Sequence, residues 1–373
     1  MSNIRLSKSS VGQEEKDAVC RVIEAGYLGM GKEVQLFEEE ITAYLGTDLE
    51  VICVNTGTAA LHLALLCLDI GPGDEVLVPS ITYVASFQAI AATGAKPIAC
   101  DVTADRVFID LEDAKIRLTK RTKAIMPVHW ASNSQDMDAV YDFAGAHGLR
   151  VVEDAAQAFG CVRNGAKVGT VGDTICFSFD GIKNITSGEG GCVITGDKEL
   201  ARRIKDARLL GVEKDTEKRY QGQRSWSFDV NHQGFRYHMS NLMAAIGREQ
   251  LKKLARFGDH RKELVEHYCN DFSSSKSIEI FDFNYTSIIS HIFPIRVING
   301  MRDNLMTYLQ GQGIECGIHY QANHKLKLFS TDYSLPVADL LGEQLLSLPL
   351  HADLTEVERK HVSTNVLGFL QKN

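Results

Sequence analysis

No apolar run in this chain comes near the ~20 residues that crossing a bilayer takes, so no membrane partner is expected. The opening stretch "MSNIRLSKSS" lacks the apolar centre of a secretory signal, and a cytoplasmic location is the expectation. There is no C-x-x-C pair. The nine cysteines are scattered, most of them in apolar runs such as "EVICVN" and "HLALLCLDI", which fits buried reduced thiols and gives no reason to expect a metal. A basic tract with interleaved aromatics is also missing and the net charge is -8, which argues against nucleic acid as a partner. A small anionic ligand stays compatible, because a pocket can be locally positive on an acidic protein. No G-x-x-x-x-G-K-[ST] occurs, and no G-x-G-x-x-G follows a β-rich run: "GMGKEV" lacks the third glycine. A P-loop is thereby excluded, and a nicotinamide dehydrogenase is argued against.

What is present is an alternation. Six short β-rich runs, "EVICVN", "EVLVPS", "KPIACDV", "KAIMPVH", "RVVEDAA" and "TICFSF", are separated by stretches of helical periodicity such as "TAALHLALLCLDIG" and "DMDAVYDFAGAHG". Such a pattern predicts an α/β fold with a mainly parallel sheet covered by helices on both faces. Upstream, Ser10 stands three residues before Gln13 and Gly26 closes the segment, which predicts a capped helix between them. From Met239 to Phe272 the pattern stays helical, and a β-rich run "IISHIFPIRV" follows. With 373 residues, of which 44% are apolar, there is material for a large domain at 1–255 and a smaller C-terminal α/β domain at 256–373.

Ligands of open parallel sheets bind beyond the carboxyl ends of the strands, so the residues after each run carry the functional signal. "NTGTAALHLAL" puts small residues and Thr58 at a helix start, which suits either a phosphate or a tight turn. Tyr83 follows the second run and can stack on a flat heterocycle or belong to the core. In "VVEDAAQAFG" the alternation sends Glu153 and Asp154 to opposite sides, and the buried one needs a cation, either an arginine or a protonated ring nitrogen. Lys183, in "FSFDGIKNITSGEGGCVIT", lies between apolar flanks, where lost hydration favours the neutral, nucleophilic amine. Pyridoxal phosphate accounts for all four features together. It needs a lysine for its aldehyde, an acid at its pyridine nitrogen, an aromatic at its face and a helix start for its phosphate.

The ordered stretches "GYLGMGKEVQLFEEEI", "NTGTAALHLAL", "GPGDEVLVPSITYVAS", "VVEDAAQAFG", "SFDGIKNITSGEGGCVIT", "GFRYHMSNLMAAIG", "GIHY" and "LSLPLHADLT" span nearly the whole chain. Together they resemble the DegT/DnrJ/EryC1/StrS family of pyridoxal-phosphate-dependent sugar aminotransferases, of aspartate aminotransferase fold type I. The resemblance implies that Lys183 is the catalytic residue, forming the Schiff base with pyridoxal 5'-phosphate and shuttling the proton, with pyridoxamine 5'-phosphate formed in between. It further implies that Asp154 pairs with the pyridine nitrogen, Gln157 touches the ring hydroxyl, Tyr83 stacks, and Thr58, Ala59 and Ser178 hold the phosphate. Arg236 stands where the family often has asparagine, in a segment that reaches the neighbouring subunit's site, so a homodimer with shared active sites is implied.

Three further stretches depart from the family's usual wording. Asp180 replaces a histidine, "HWAS" replaces His-Leu-Tyr-Gly and is expected to put Trp130 and Ser132 near the pocket mouth, and Ala322 replaces a proline. His319, Tyr320 and His324, in "CGIHYQANHK", are expected either to face the sugar nucleotide or to be polar residues of the small domain. Lys325 and Lys327 suit a pyrophosphate or a solvated surface. Relatives with histidine in place of the lysine are dehydratases, so Lys183 favours transamination, and "KNITSGEGG" resembles members acting on 4-keto sugars. The implied reaction takes an amino group from L-glutamate to a nucleotide-linked 4-keto-6-deoxyhexose, giving a 4-amino-4,6-dideoxy sugar, with lipopolysaccharide O-antigen biosynthesis favoured over antibiotic sugars. A second reading changes the acceptor to a 3-keto sugar nucleotide or a keto-cyclitol. A third, a regulator that has lost catalysis, is opposed by the intact Lys183, Asp154, Gln157 and Ser178.

Overall fold

The computed structural model describes residues 3–298 and 300–372. Its strands are β1 (Glu50–Val54), β2 (Glu75–Pro79), β3 (Lys96–Cys100), β4 (Thr122–Ile125), β5 (Arg150–Asp154), the two-residue β6 (Val162–Arg163) and β7 (Ala166–Lys167), β8 (Thr174–Ser178), β9 (Gly191–Thr195), β10 (Ile278–Ile280), β11 (Phe293–Val297) and β12 (Leu345–Leu348). Seven form the central sheet in the order β1-β9-β8-β5-β4-β2-β3. All six β-rich runs read from the sequence lie in it and point the same way. β9 alone runs against its neighbours, pairing antiparallel with both β1 and β8.

The central strands are rich in valine and isoleucine because helices cover both faces, and β2 and β8 are buried at every position. Helix Gly57–Cys67 is apolar nearly all round, as a helix enclosed by protein must be. Its start is capped by Thr56, whose Oγ1 accepts from Ala59 N–H at 3.0 Å. The first helix runs Gln13–Glu24, with Gly26 left-handed just beyond its end. Ser10 does not cap it. The backbone N–H of Gly12 is taken by the Glu15 carboxylate at 2.7 Å, and Ser10 Oγ turns to Asp353 Oδ1 at 2.6 Å.

A second core gathers around the antiparallel sheet β10-β11-β12. The expected boundary at residue 255 falls inside helix Asn241–Phe272. The front of this helix packs on helices Gln13–Glu24 and Lys32–Leu45, whereas Leu264, Val265, Tyr268 and Phe272 enter the second core. Close approach at the front depends on Gly247, where a Cβ would stand 2.5 Å from Ser187 Oγ and 2.6 Å from the Phe37 ring. Ile4, which bridges to Ile314, also belongs to the second core. The chain therefore passes between the two cores along a continuous helix, and its N-terminal residues pack with the C-terminal unit. Among the described residues no helix is long and apolar enough to cross a membrane.

One buried ion pair ties β1 to the helices beneath it. Arg208 Nη1 donates to Glu38 Oε1 and to Cys53 O, both at 2.6 Å, and Nη2 donates to Tyr220 Oη at 2.9 Å. Glu38 also accepts from Cys53 N–H at 2.8 Å and from the Tyr220 hydroxyl. Arg208 is fully buried, so removing it would strand a carboxylate away from water. Arg208→Ala should destabilise the fold by about 3–5 kcal/mol, read from denaturant unfolding. A loss within experimental error would mean that the pair contributes nothing to stability.

Candidate active site

β1, β2, β5 and β8 end on one edge of the sheet, and the residues just after them line a cavity of about 460 Å³, a size that suits a cofactor with part of its substrate. Thr56, Gly57 and Thr58 come from the first of these strand ends, Thr82 and Tyr83 from the second, Asp154 and Gln157 from the third, and Ser178, Asp180 and Lys183 from the fourth. His319 and Tyr320 close the wall from the C-terminal unit.

Lys183 reaches the cavity because its loop is folded tightly. Its own N–H donates to Asp180 O at 3.1 Å, and Ser187 N–H returns to Phe179 O at 2.8 Å. The glycines that follow serve close packing: a Cβ on Gly191 would stand 2.6 Å from Phe177 O and 2.8 Å from Gly57 N. Only glycine there lets β9 pass between β1 and β8 and brings the start of helix Gly57–Cys67 against Ser178. Gly57 is equally constrained, with a Cβ falling 2.7 Å from Ser178 Cβ.

Burial pushes the Lys183 amine below the ordinary lysine range, and it outweighs the opposing pull of Asp180 and Asp154. Asp154 moves the other way. Burial raises it despite the Ser86 hydroxyl, which donates to Oδ2 at 2.6 Å, and Ala156 N–H, 3.2 Å from Oδ1. The cavity thus disfavours charge on both groups. Gln157 is held at both ends of its amide, accepting from Ala131 N–H at 2.8 Å and donating to Tyr320 Oη at 3.0 Å.

The remaining expected residues are placed as follows. Thr58 and Ser178 line the cavity at the helix start, but Ala59 N–H is already taken by Thr56, so the N–H groups left for an anion are those of Gly57 and Thr58. Tyr83 is 58% exposed and tilted against Tyr320, with ring centroids 5.6 Å apart. Glu153 and Asp154 are both buried, because both faces of the sheet are covered; Glu153 is met by His129 Nε2 at 2.8 Å and by the Tyr141 hydroxyl at 2.6 Å.

His324 does not line the cavity, since Ser80 Oγ holds its Nδ1 at 2.6 Å and Asp339 holds its Nε2 at 2.9 Å. Trp130 and Ser132 are not at the pocket mouth either. Both are fully buried behind the wall, with Trp130 Nε1 donating to His319 O at 2.9 Å. Arg236 is exposed and away from this chain's cavity. Lys325 is tied to Asp339 at 2.6 Å, and Lys327 is exposed.

The structure adds residues that the sequence alone does not single out. Thr56 and Gly57 sit inside "NTGTAAL" and Ser86 lies one turn after Tyr83, so capping and helical spacing could have found them. Glu189 lines the cavity from the glycine cluster. His291 Nε2 lies 3.5 Å from Lys183 Nζ, yet it sits 108 positions away in a β-rich run without any motif.

These groups fit pyridoxal phosphate. Gly57 and Thr58 N–H with the Ser178 hydroxyl would hold a phosphate at the positive end of a helix. Lys183 would meet the aldehyde, and Asp154, with one oxygen held only by a 3.2 Å contact, would meet a cationic ring nitrogen. Residues 9–367 match the model of the DegT/DnrJ/EryC1/StrS aminotransferase family. The chain belongs to this family. Among solved structures it is similar to the aminotransferase TlmJ from Streptoalloteichus hindustanus, with 30% identity, a TM-score of 0.92 and 100% of both chains covered. It is also similar to S. venezuelae DesV, solved in complex with a ketimine intermediate, with 32% identity, a TM-score of 0.89 and coverage of 100% of this chain and 99% of that one. The PLP-form of the putative sugar aminotransferase Spr1654 from Streptococcus pneumoniae matches at 27% identity and a TM-score of 0.91, covering 99% of each chain, and its PMP-form matches as well.

This member of the family is a sugar aminotransferase of fold type I that uses pyridoxal 5'-phosphate and pyridoxamine 5'-phosphate. Gly57→Ala tests the phosphate end of its site. The added methyl should force the helix start off Ser178 and raise the cofactor Kd about tenfold or more, read by absorbance titration, with the far-UV spectrum kept. An unchanged Kd would remove the phosphate from this place.

Proposed function

We propose that the enzyme moves the amino group of L-glutamate to the 4-keto group of a nucleotide-linked 4-keto-6-deoxyhexose, releasing 2-oxoglutarate and a 4-amino-4,6-dideoxy sugar nucleotide. The observation that carries transamination is the Lys183 amine, drawn toward neutrality in a cavity it shares with Asp154. The 4-keto position is supported by the wording "KNITSGEGG" after β8. When bound, pyridoxal phosphate supplies an aldehyde that carries the amino group and a ring that accepts electrons.

The chain's own residues do the rest. Lys183 Nζ, uncharged once free, takes the proton that leaves Cα of the amino donor, and in the second half it delivers one to the sugar carbon that receives nitrogen. A positioned base of this kind contributes roughly 10²–10⁴-fold. Asp154 would pair with the ring nitrogen and keep a proton on it. Tyr83, His319 and Tyr320 form the wall that the sugar meets.

Lys183→Ala should lose turnover and also the visible absorbance band that L-glutamate bleaches in the parent. Full activity in that variant would overturn the reading, and acceptance of only 3-keto sugars would move the acceptor position.

The same reading makes the enzyme a homodimer with shared sites. Trp226 is 90% exposed, and Phe228 and Val230 are exposed beside it on the segment leading to Arg236, an apolar surface that one chain leaves bare. Activity per chain should therefore fall on dilution as sedimentation shows dissociation. A fully active monomer would contradict the shared site.

A further inference from the structure

His291 is buried beside Lys183, behind the residues that line the cavity, and its backbone is fixed from two sides. Its N–H donates to Ser132 Oγ at 3.0 Å, and that oxygen also lies 2.8 Å from Ile289 O and 2.5 Å from Gln157 O. From helix Asn241–Phe272 the buried Arg261 Nη1 donates to Ser290 O, His291 O and Leu350 O, each at 3.2 Å. No carboxylate pairs with this guanidinium among the described residues; three carbonyls hold it. The imidazole therefore stands on a rigid mount with Nε2 3.5 Å from Lys183 Nζ, and Nδ1 is buried without a hydrogen-bond partner.

A buried N–H left unpaired costs more than a buried acceptor left unpaired, so the ring proton belongs on Nε2, facing the amine. We propose that His291 is a positioning residue of the reaction, whose Nε2–H donates to the unprotonated Lys183 Nζ and so holds that amine neutral and aimed into the cavity. A donor at that point stabilises the amine and opposes the ammonium.

The surrounding groups agree. Burial pushes the imidazole well below its ordinary range, and Lys183, Arg261 and His319 push it further, so it stays neutral. His319 itself is pushed down to about 4 by burial and by Lys183. Among the described residues, Asp180 and Asp154 are the groups that favour charge on Lys183.

The proposal rests on Lys183 being the reacting amine, which the Lys183→Ala experiment tests through turnover. The present test is read without turnover. Full-length protein stripped of cofactor is acetylated with acetic anhydride across a pH series, and the Lys183 peptide is followed by mass spectrometry. His291→Leu should move the midpoint of the pH profile upward, and at any pH below it acetylation should slow about tenfold for each whole pH step that the midpoint climbs. His291→Gln, whose amide can restore a donor, should move it back. A midpoint that stays or falls in His291→Leu overturns the proposal, because added apolar lining alone would depress it. Should that variant not fold, nitrogen NMR of the wild-type imidazole decides: a proton on Nε2 supports the assignment and a proton on Nδ1 overturns it.

Discussion

Keeping the Lys183 amine away from water is the constraint on which the site depends. A charged amine in such a place costs several kcal/mol of lost hydration, and a pair of nearby carboxylates is the usual remedy. Asp180 and Asp154 are there, yet burial prevails over both. Asp154 has the same difficulty with opposite sign, since burial disfavours its carboxylate. A single ligand such as pyridoxal phosphate would resolve both by offering an aldehyde to the amine and a ring N–H to the acid.

The fold meets this constraint through the direction of its strands. Parallel strands bring their carboxyl ends to one edge, which collects Thr56, Tyr83, Asp154 and Ser178 within a cavity of about 460 Å³. β9 is the exception that makes the edge tight. It returns antiparallel between β1 and β8, and its one glycine, Gly191, lets the start of helix Gly57–Cys67 lie on Ser178. Thr56 caps that helix through Ala59 and leaves the N–H groups of Gly57 and Thr58, which line the cavity, for an anion.

Much of this is legible in the sequence, and the rest is not for definable reasons. Strand runs such as "EVLVPS" announce themselves because burial on both faces demands continuous apolar residues, and the chemistry-bearing residues directly follow them. What adjacency does not show is orientation. Glu153 and Asp154 alternate as strand geometry requires, but both ends of the alternation are buried. Ser10 has the spacing of a cap, yet Glu15 reaches Gly12 first and Ser10 finds Asp353, 343 positions away. Ile4 joins the second core, and His291 joins the site, through contacts between distant parts of the chain that leave no local pattern.

The wall contributed by the C-terminal unit explains why Trp130, expected near the pocket mouth, and His324, expected either to face the sugar nucleotide or to be a polar residue of the small domain, do not line the cavity. Segment 319–325 is pinned to the strand ends at several points. His319 O is held by Trp130, the Tyr320 hydroxyl by Gln157, His324 by Ser80 and Asp339, and the Asn323 amide donates to the carbonyls of Ser80 and Thr82. Trp130 is in turn wedged edge-on against Phe281 and Phe283. Polar residues of this segment are therefore spent on fixing the wall, which leaves His319 and Tyr320 to face the cavity. Trp130 and Ala322, where the chain departs from the family's usual wording, belong to this wall or its supports, whereas Asp180 lines the cavity from the loop that carries Lys183. Lys183, Asp154, Gln157 and Ser178, which line the same cavity, keep the family's usual residues.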